Sequence, residues 1–267
     1  MSKNQYQQPE IEKFTEEFKR DGFCVLRGHF EPEKLRVWHE KFLPLLGEHI
    51  AREGNLKNRG AERYYVTLPF SAPFADEEIF ADRDILAIVE NLVGADFTMV
   101  QLATDTPLRG SDYQEIHRDA PPLFPEIEQE TPSFQLAVNF PLVDVTEENG
   151  PFEVARGTHI VTKEEGLRLI ESGTRPLEPI CLARGDVMIR DVRGLHRGTP
   201  NKSGEPRPMV VIGYSRRWLF RPEVSINIPR AVLENLSPES RKMLRFNRVI
   251  ESLEDVPKEE IYQAFAY

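Results

Sequence analysis

SFQLAVNF, Ser133 to Phe140, alternates strictly. Phe134, Leu136, Val138 and Phe140 fall on one side, and Gln135, Ala137 and Asn139 on the other. Successive side chains of a strand point to opposite faces, so this is the period of a β-strand and not of a helix. Similar short runs lie outward from it in both directions: FTMVQLA (97–103), YQEIHRD (113–119), PFEVA (151–155), PICLA (179–183), DVMIRD (186–191) and MVVIGYS (209–215). Gly, Pro, Asn and Asp punctuate the intervals. Many short strands at turn-punctuated spacing predict a sandwich, barrel or jelly roll. One helix, at about 162–171, interrupts them.

The flanks read differently. Ile11, Phe14 and Phe18 share a helical face over 10–19, and Asp21-Gly22 stops that helix. FCVLRG (23–28) is a short strand. Pro32 opens a second helix through Ile50, with Pro44 as an expected kink. A third runs from Ile79 to Val93 and ends at Gly94. From about 229 the chain reads as helical again. The expected architecture is one α+β domain, mainly β, over 1–267. It comprises helical support (1–95), a cupin-like jelly-roll core (96–220) and a helical tail (221–267).

The formal net charge of −10 removes the basic stripe that a nucleic-acid partner needs. It also argues against an anionic membrane surface, and no run approaches the roughly 18 apolar residues of a membrane span. Cys24 and Cys181 are too few for a disulfide scaffold and too far apart for a Cys-x-x-Cys site. Both sit in apolar runs, FCVL and PICL, and are expected to be buried, inert thiols. The polar opening MSKNQYQQPE lacks a signal-peptide core. These features fit a reduced, cytoplasmic protein with a small-molecule partner.

Of six histidines, His39 and His49 lie on the second helix among charged residues, and His29 sits in a strand-to-helix turn. Solvation or packing accounts for these three. His117 and Asp119 differ, because they alternate with Arg118 in IHRD. At a strand end, residues i and i+2 project an imidazole and a carboxylate into the same space. His196 in RDVRGLHRGTPN follows 79 residues later, just past DVMIRD. Two histidines and one carboxylate on one face of an octahedral metal leave its other positions open, as in non-haem iron(II) oxygenases. Arg207 comes 11 residues after His196. If GLH closes one strand and PMVVIGYS is its antiparallel neighbour, Arg207 returns toward the metal, where a guanidinium can pair with a carboxylate. Pro206 and Pro208 fix its backbone.

His117-x-Asp119, His196 and Arg207 together resemble the signature of the phytanoyl-CoA dioxygenase-like family of iron(II)/2-oxoglutarate oxygenases. NGPFEVARGTH (149–159) and DGFCVLRG (21–28) are similar to two further family segments, so the resemblance runs from about 11 to 216. It implies a double-stranded β-helix with iron(II) on His117, Asp119 and His196. It also implies 2-oxoglutarate anchored by Arg207, and dioxygen as oxidant. Gln101 resembles a position that touches the cosubstrate, Thr199 is placed to donate to a 2-oxoglutarate carboxylate, and Asn139 to face the cavity. Arg197-Gly198-Thr199 departs from the Gly-Ser pair common after the distal histidine. The resemblance makes His159, in the Gly-Thr-His turn, structural. Halogenating relatives carry a small apolar residue where Asp119 stands, so the Asp points to oxygenation.

The expected reaction is hydroxylation of an unactivated C–H bond. Desaturation, cyclisation or epimerisation by the same cofactors is the alternative, and a non-catalytic ligand-binding jelly roll a more distant one. Phe70, Phe74, Phe124 and Trp218 are candidates for the barrel mouth, 120–132 for a lid, and Arg63, Tyr64 and Tyr65 for the rim.

Overall fold

The computed structural model describes residues 5–53, 59–127, 130–219 and 226–256. Helix α1 (Gln8–Asp21) is followed by β1 (Phe23–Leu26), α2 (Pro32–Glu53), β2 (Arg63–Thr67), α3 (Glu77–Phe80) and α4 (Arg83–Val93). The central strands are β3 (Phe97–Pro107), β4 (Gln135–Pro141) and β5 (Phe152–Ala155), then, after α5 (Lys163–Glu171), β6 (Leu177–Ile180), β7 (Val187–Asp191), β8 (His196–Gly198) and β9 (Met209–Arg216). The chain continues through β10 (Asn227–Pro229), α6 (Arg230–Asn235), α7 (Pro238–Met243) and β11 (Arg248–Ile250).

Six strands form one sheet in the order β1-β7-β4-β9-β3-β2, with every neighbouring pair antiparallel. A three-stranded antiparallel sheet has the order β6-β5-β8. The alternation in 133–140 sorts β4 as expected, but the polar side does not face water, because every residue of the strand is buried. Leu136, Val138 and Phe140 join Val187, Ile189, Val210 and Ile212 in a core shared with Phe18 of α1, Trp38 and Phe42 of α2, and Ile88 of α4. Each such side chain contributes about 1.5–3 kcal/mol on burial. Gln135, Ala137 and Asn139 face the other way, into a cavity lined from both sheets. This two-sided burial leaves the inner face free to carry polar groups.

Helix ends follow their capping chemistry. Gln7 and Glu10 form a capping box at α1, and Gly22 closes it in the left-handed region at φ 85°, donating to the Phe18 carbonyl at 2.7 Å. A Cβ at Gly22 would also lie 2.7 Å from His159 Nδ1. His159 is thus packed under the α1 terminus, away from the site, as its structural reading required. The expected helix 79–93 is broken, because Asp82 caps the start of α4 by accepting from the backbone of Asp84 and Ile85 at 3.1 and 3.0 Å. A strand, β2, lies within the first third, and the tail contains β10 and β11 beside its two short helices. The last part of the expected helical tail, 257–267, lies outside the described residues. Cys24 is buried as expected, and burial pushes its thiol pKa up. Cys181, the first residue past β6, is exposed.

Candidate active site

His117 and Asp119 do not lie on a strand. Residues 113–119 run as irregular chain joined to β8 by a single bridge, His117 to His196. The reason is visible in one contact: the Glu115 carbonyl, which a ladder would use, meets His117 Nδ1 at 2.7 Å. The segment is still pinned. Backbone N–H groups of Gln114, His117 and Asp119 donate to the carbonyls of Gly198, His196 and Val192 at 3.0, 3.0 and 2.8 Å. The local alternation survives, because Arg118 points away and donates to Glu130 at 2.6 Å and to the Thr158 carbonyl at 2.8 Å.

One ligand atom from each of His117, Asp119 and His196 lies within 4.8 Å of the others. Asp119 Oδ1 stands 3.7 Å from His117 Nε2 and 3.6 Å from His196 Nε2, beyond hydrogen-bond length but suited to atoms that share an ion. Both Nδ1 atoms are committed to carbonyls, Glu115 at 2.7 Å and Gly194 at 2.9 Å. Each Nδ1 therefore carries the proton and each Nε2 presents a lone pair inward, the tautomer a metal ligand needs. Burial holds His196 well below its usual pKa, favouring the neutral ring. Burial pushes the Asp119 carboxyl up, but the Arg190 guanidinium, with smaller help from the neighbouring imidazoles, outweighs it and holds it well below the usual carboxylate range. Two imidazoles and one carboxylate fit iron(II).

The cavity takes in Gln101, Asp105, Gln135, Asn139 and Arg207 as well as the three. Arg207 is buried, and burial pulls its guanidinium down to about 10 against the opposing charge of Asp105. Asp105 in turn accepts from Arg63 at 2.8 Å. Gln101 donates to the Tyr65 hydroxyl at 2.6 Å, and Gly213 makes room for it, since a Cβ there would lie 2.8 Å from Gln101 Cβ. Asn139 donates to the Val210 carbonyl at 3.1 Å and accepts from Arg190 Nε at 3.0 Å. Four buried polar atoms on cavity residues lack a protein partner: Asp105 Oδ1, Gln135 Oε1, Arg190 Nη1 and Arg207 Nε. Such groups are costly unless a ligand or water meets them; the two guanidinium N–H donors, Arg190 Nη1 and Arg207 Nε, suit a small anion such as 2-oxoglutarate, whereas the two oxygens call for a donor or water.

Thr199 is placed elsewhere. It is not among the cavity-lining residues; its hydroxyl donates to the Pro151 carbonyl at 2.7 Å, and its own carbonyl accepts from Arg63. Phe70 and Phe74 belong to the core, and Arg63 and Tyr64 are buried, whereas Tyr65 reaches the cavity. Phe124 and Trp218 are exposed, and residues 128–129 of the expected lid lie outside the described residues. Sequence reasoning missed Arg190, whose Nη2 donates to Asp119 Oδ2 at 2.6 Å. The signal was the alternation in DVMIRD, which puts Met188 and Arg190 on the face opposite Val187 and Ile189.

The family model for phytanoyl-CoA dioxygenase (PhyH) matches residues 18–209. The chain belongs to the PhyH family. Among curated relatives, the dioxygenase aneA of Aspergillus aculeatus is 26% identical, over 88% of this chain and 82% of that protein. The dioxygenase olcK of Penicillium canescens is 24% identical, over 84% and 76%. Among solved structures, HygX of Streptomyces hygroscopicus, bound to nickel, 2-oxoglutarate and hygromycin B, aligns with a TM-score of 0.60 at 16% identity, over 84% and 91%. The α-ketoglutarate-dependent epimerase SnoN of nogalamycin biosynthesis aligns with a TM-score of 0.58 at 20% identity, over 78% and 83%. These likenesses show the fold, mixed α/β with antiparallel sheets. As a PhyH member this chain is an oxidoreductase of the iron(II)/2-oxoglutarate dioxygenase type, acting with iron(II), 2-oxoglutarate and dioxygen.

Proposed function

We propose that the protein hydroxylates an unactivated C–H bond of a small organic molecule, with His117, Asp119 and His196 holding iron(II) and the two sheets forming the walls of a double-stranded β-helix. The observation that carries this reading is the convergence of two Nε2 atoms and one carboxylate oxygen, with both Nδ1 atoms tied to carbonyls. Iron(II) with 2-oxoglutarate and dioxygen supplies a two-electron oxidation of the substrate, coupled to release of succinate and carbon dioxide. The chain's residues do the rest. Arg207 binds the far carboxylate of 2-oxoglutarate as a buried ion pair. Gln101, held by Tyr65, and Asn139, held by Val210, offer amide groups along the same cavity. The closed sheets exclude water, so that oxidation is directed at the bound substrate.

A second reading keeps the cofactors and changes the outcome. An epimerase and a carbocyclase, SnoN and SnoK, are among the structural neighbours, so the competing outcomes with the same cofactors are ring closure, a two-electron oxidation that removes two hydrogens, and inversion at carbon, which leaves the substrate's oxidation state unchanged and requires an external reductant.

Anaerobically purified protein supplied with iron(II), 2-oxoglutarate and air should release succinate, and its anaerobic 2-oxoglutarate complex should show a visible charge-transfer band. His117→Ala should abolish both. Absence of both signals in the wild type, or their persistence in His117→Ala, defeats the reading. Product mass then separates the fates, since hydroxylation adds one oxygen atom, ring closure removes two hydrogens and epimerisation leaves the mass unchanged.

A further inference from the structure

Asp119 has two oxygens and only one faces the imidazoles. Oδ1 lies 3.7 and 3.6 Å from the two Nε2 atoms, while Oδ2 accepts from Arg190 Nη2 at 2.6 Å. Arg190 is itself fixed on three sides. Nε donates to Asn139 Oδ1 at 3.0 Å, and the guanidinium lies 5.0 Å over the Phe152 ring, which packs 4.7 Å from the His196 ring. Its backbone is held in β7, paired to Phe23 on one side and Ala137 on the other. This frame holds the guanidinium against Oδ2.

We propose that Arg190 is a positioning residue that keeps Asp119 a one-oxygen ligand and thereby preserves the coordination positions that 2-oxoglutarate and dioxygen need. The inference rests on the function proposed above. Its logic is a count of positions. An octahedral ion has six. Three protein ligands leave three; a chelating 2-oxo acid takes two, and one remains for dioxygen. A carboxylate is free to bind through both oxygens, and a second Asp119 oxygen on the ion would occupy one of the three. The charge-assisted hydrogen bond to Arg190 competes for that oxygen. Arg190 Nη1, buried without a protein partner on a cavity-lining residue, adds a donor beside the same region.

The role differs from simple packing in what its loss should change. A packing residue lowers stability, and metal and cosubstrate binding then fall together with the folded fraction. A residue that restrains Asp119 separates them. Arg190→Met keeps much of the side-chain volume and removes every hydrogen bond; Arg190→Lys keeps the charge but not the planar fork.

The test uses the full-length chain with nickel(II), then anaerobic iron(II), measuring metal affinity, 2-oxoglutarate affinity by calorimetry and the charge-transfer band. In Arg190→Met, metal should bind with affinity equal to or above wild type. Affinity for 2-oxoglutarate should fall about 10-fold or more, because a second Asp119 oxygen would then compete for one of its two positions. The charge-transfer band should weaken or shift, and Arg190→Lys should fall between. Wild-type affinity and band in Arg190→Met overturn the proposal. So does parallel loss of metal and 2-oxoglutarate binding in both variants, which would make Arg190 structural. Failure of the wild type to bind metal and 2-oxoglutarate would instead defeat the parent reading.

Discussion

Among the described residues, two histidine–carboxylate clusters are compact enough for a metal: His117, Asp119 and His196 in the cavity, and His29, Asp82 and Asp84 at the start of α4. Both are largely buried. They differ in what their facing atoms already hold. In the second, His29 Nε2 meets Asp82 Oδ1 at 2.9 Å, that same oxygen caps two backbone N–H groups, and Asp84 accepts from the Gln5 backbone at 2.7 Å. The atoms that face one another are taken up in fixing a helix end to a turn, and the unpartnered His29 Nδ1 lies on the other edge of the ring from the Asp82 contact. In the first, the backbone contacts fall on the outer Nδ1 atoms and the inner ones stay apart. Proximity of ligand-type residues is therefore a poor sign of a metal; unspent lone pairs aimed at a common point are a better one.

The contrast can be broken by substitution. His196→Ala, which removes one of the three ligands, should lower nickel affinity by more than about 100-fold and should end succinate release. Asp82→Ala should leave nickel binding unchanged, and a fall there would reverse the assignment of the two clusters. Arg207→Met should raise the dissociation constant for 2-oxoglutarate about 30-fold or more, as expected for removing one partner of a buried ion pair, with metal affinity intact in a calorimetric titration. Saturating nickel, at about 100 times its Kd, should stabilise the wild type by about 2.7 kcal/mol. In a thermal melt that gain should appear in Asp82→Ala and vanish in His196→Ala. The smallest effect belongs to the cap itself: Asp82→Ala should cost about 1–2 kcal/mol, read as a lower Tm without metal.

Much of this was legible in the residues. The period of Phe134 to Phe140 announced a strand, and the ordered set His117, Asp119, His196 and Arg207 announced a cavity that the structure assembles for Asp119 and the two histidines within 4.8 Å. What escaped is instructive. Gln135, on the same side of its strand as Asn139, is buried because the second sheet covers that face. Arg190 and Asp105 escape because alternation assigns a side chain to a face and does not say whether that face is turned inward. IHRD resembled a strand because side-chain alternation needs only extended backbone, whereas a ladder also needs carbonyls, and Glu115 gives its carbonyl to His117. Cys181 departs from expectation because an apolar neighbourhood in sequence does not show where a strand ends, and Cys181 lies just past the end of β6.

The single bridge between His117 and His196 has a further consequence. Their backbones exchange two hydrogen bonds, at 3.0 and 3.1 Å, across a separation of 79 residues. The spacing of the two rings is thus written into the polypeptide before any ion arrives. Small zinc domains work the other way, drawing their order from the metal and collapsing under chelators. Here loading should be reversible chemistry on a standing scaffold, so that one divalent ion can be exchanged for another without refolding.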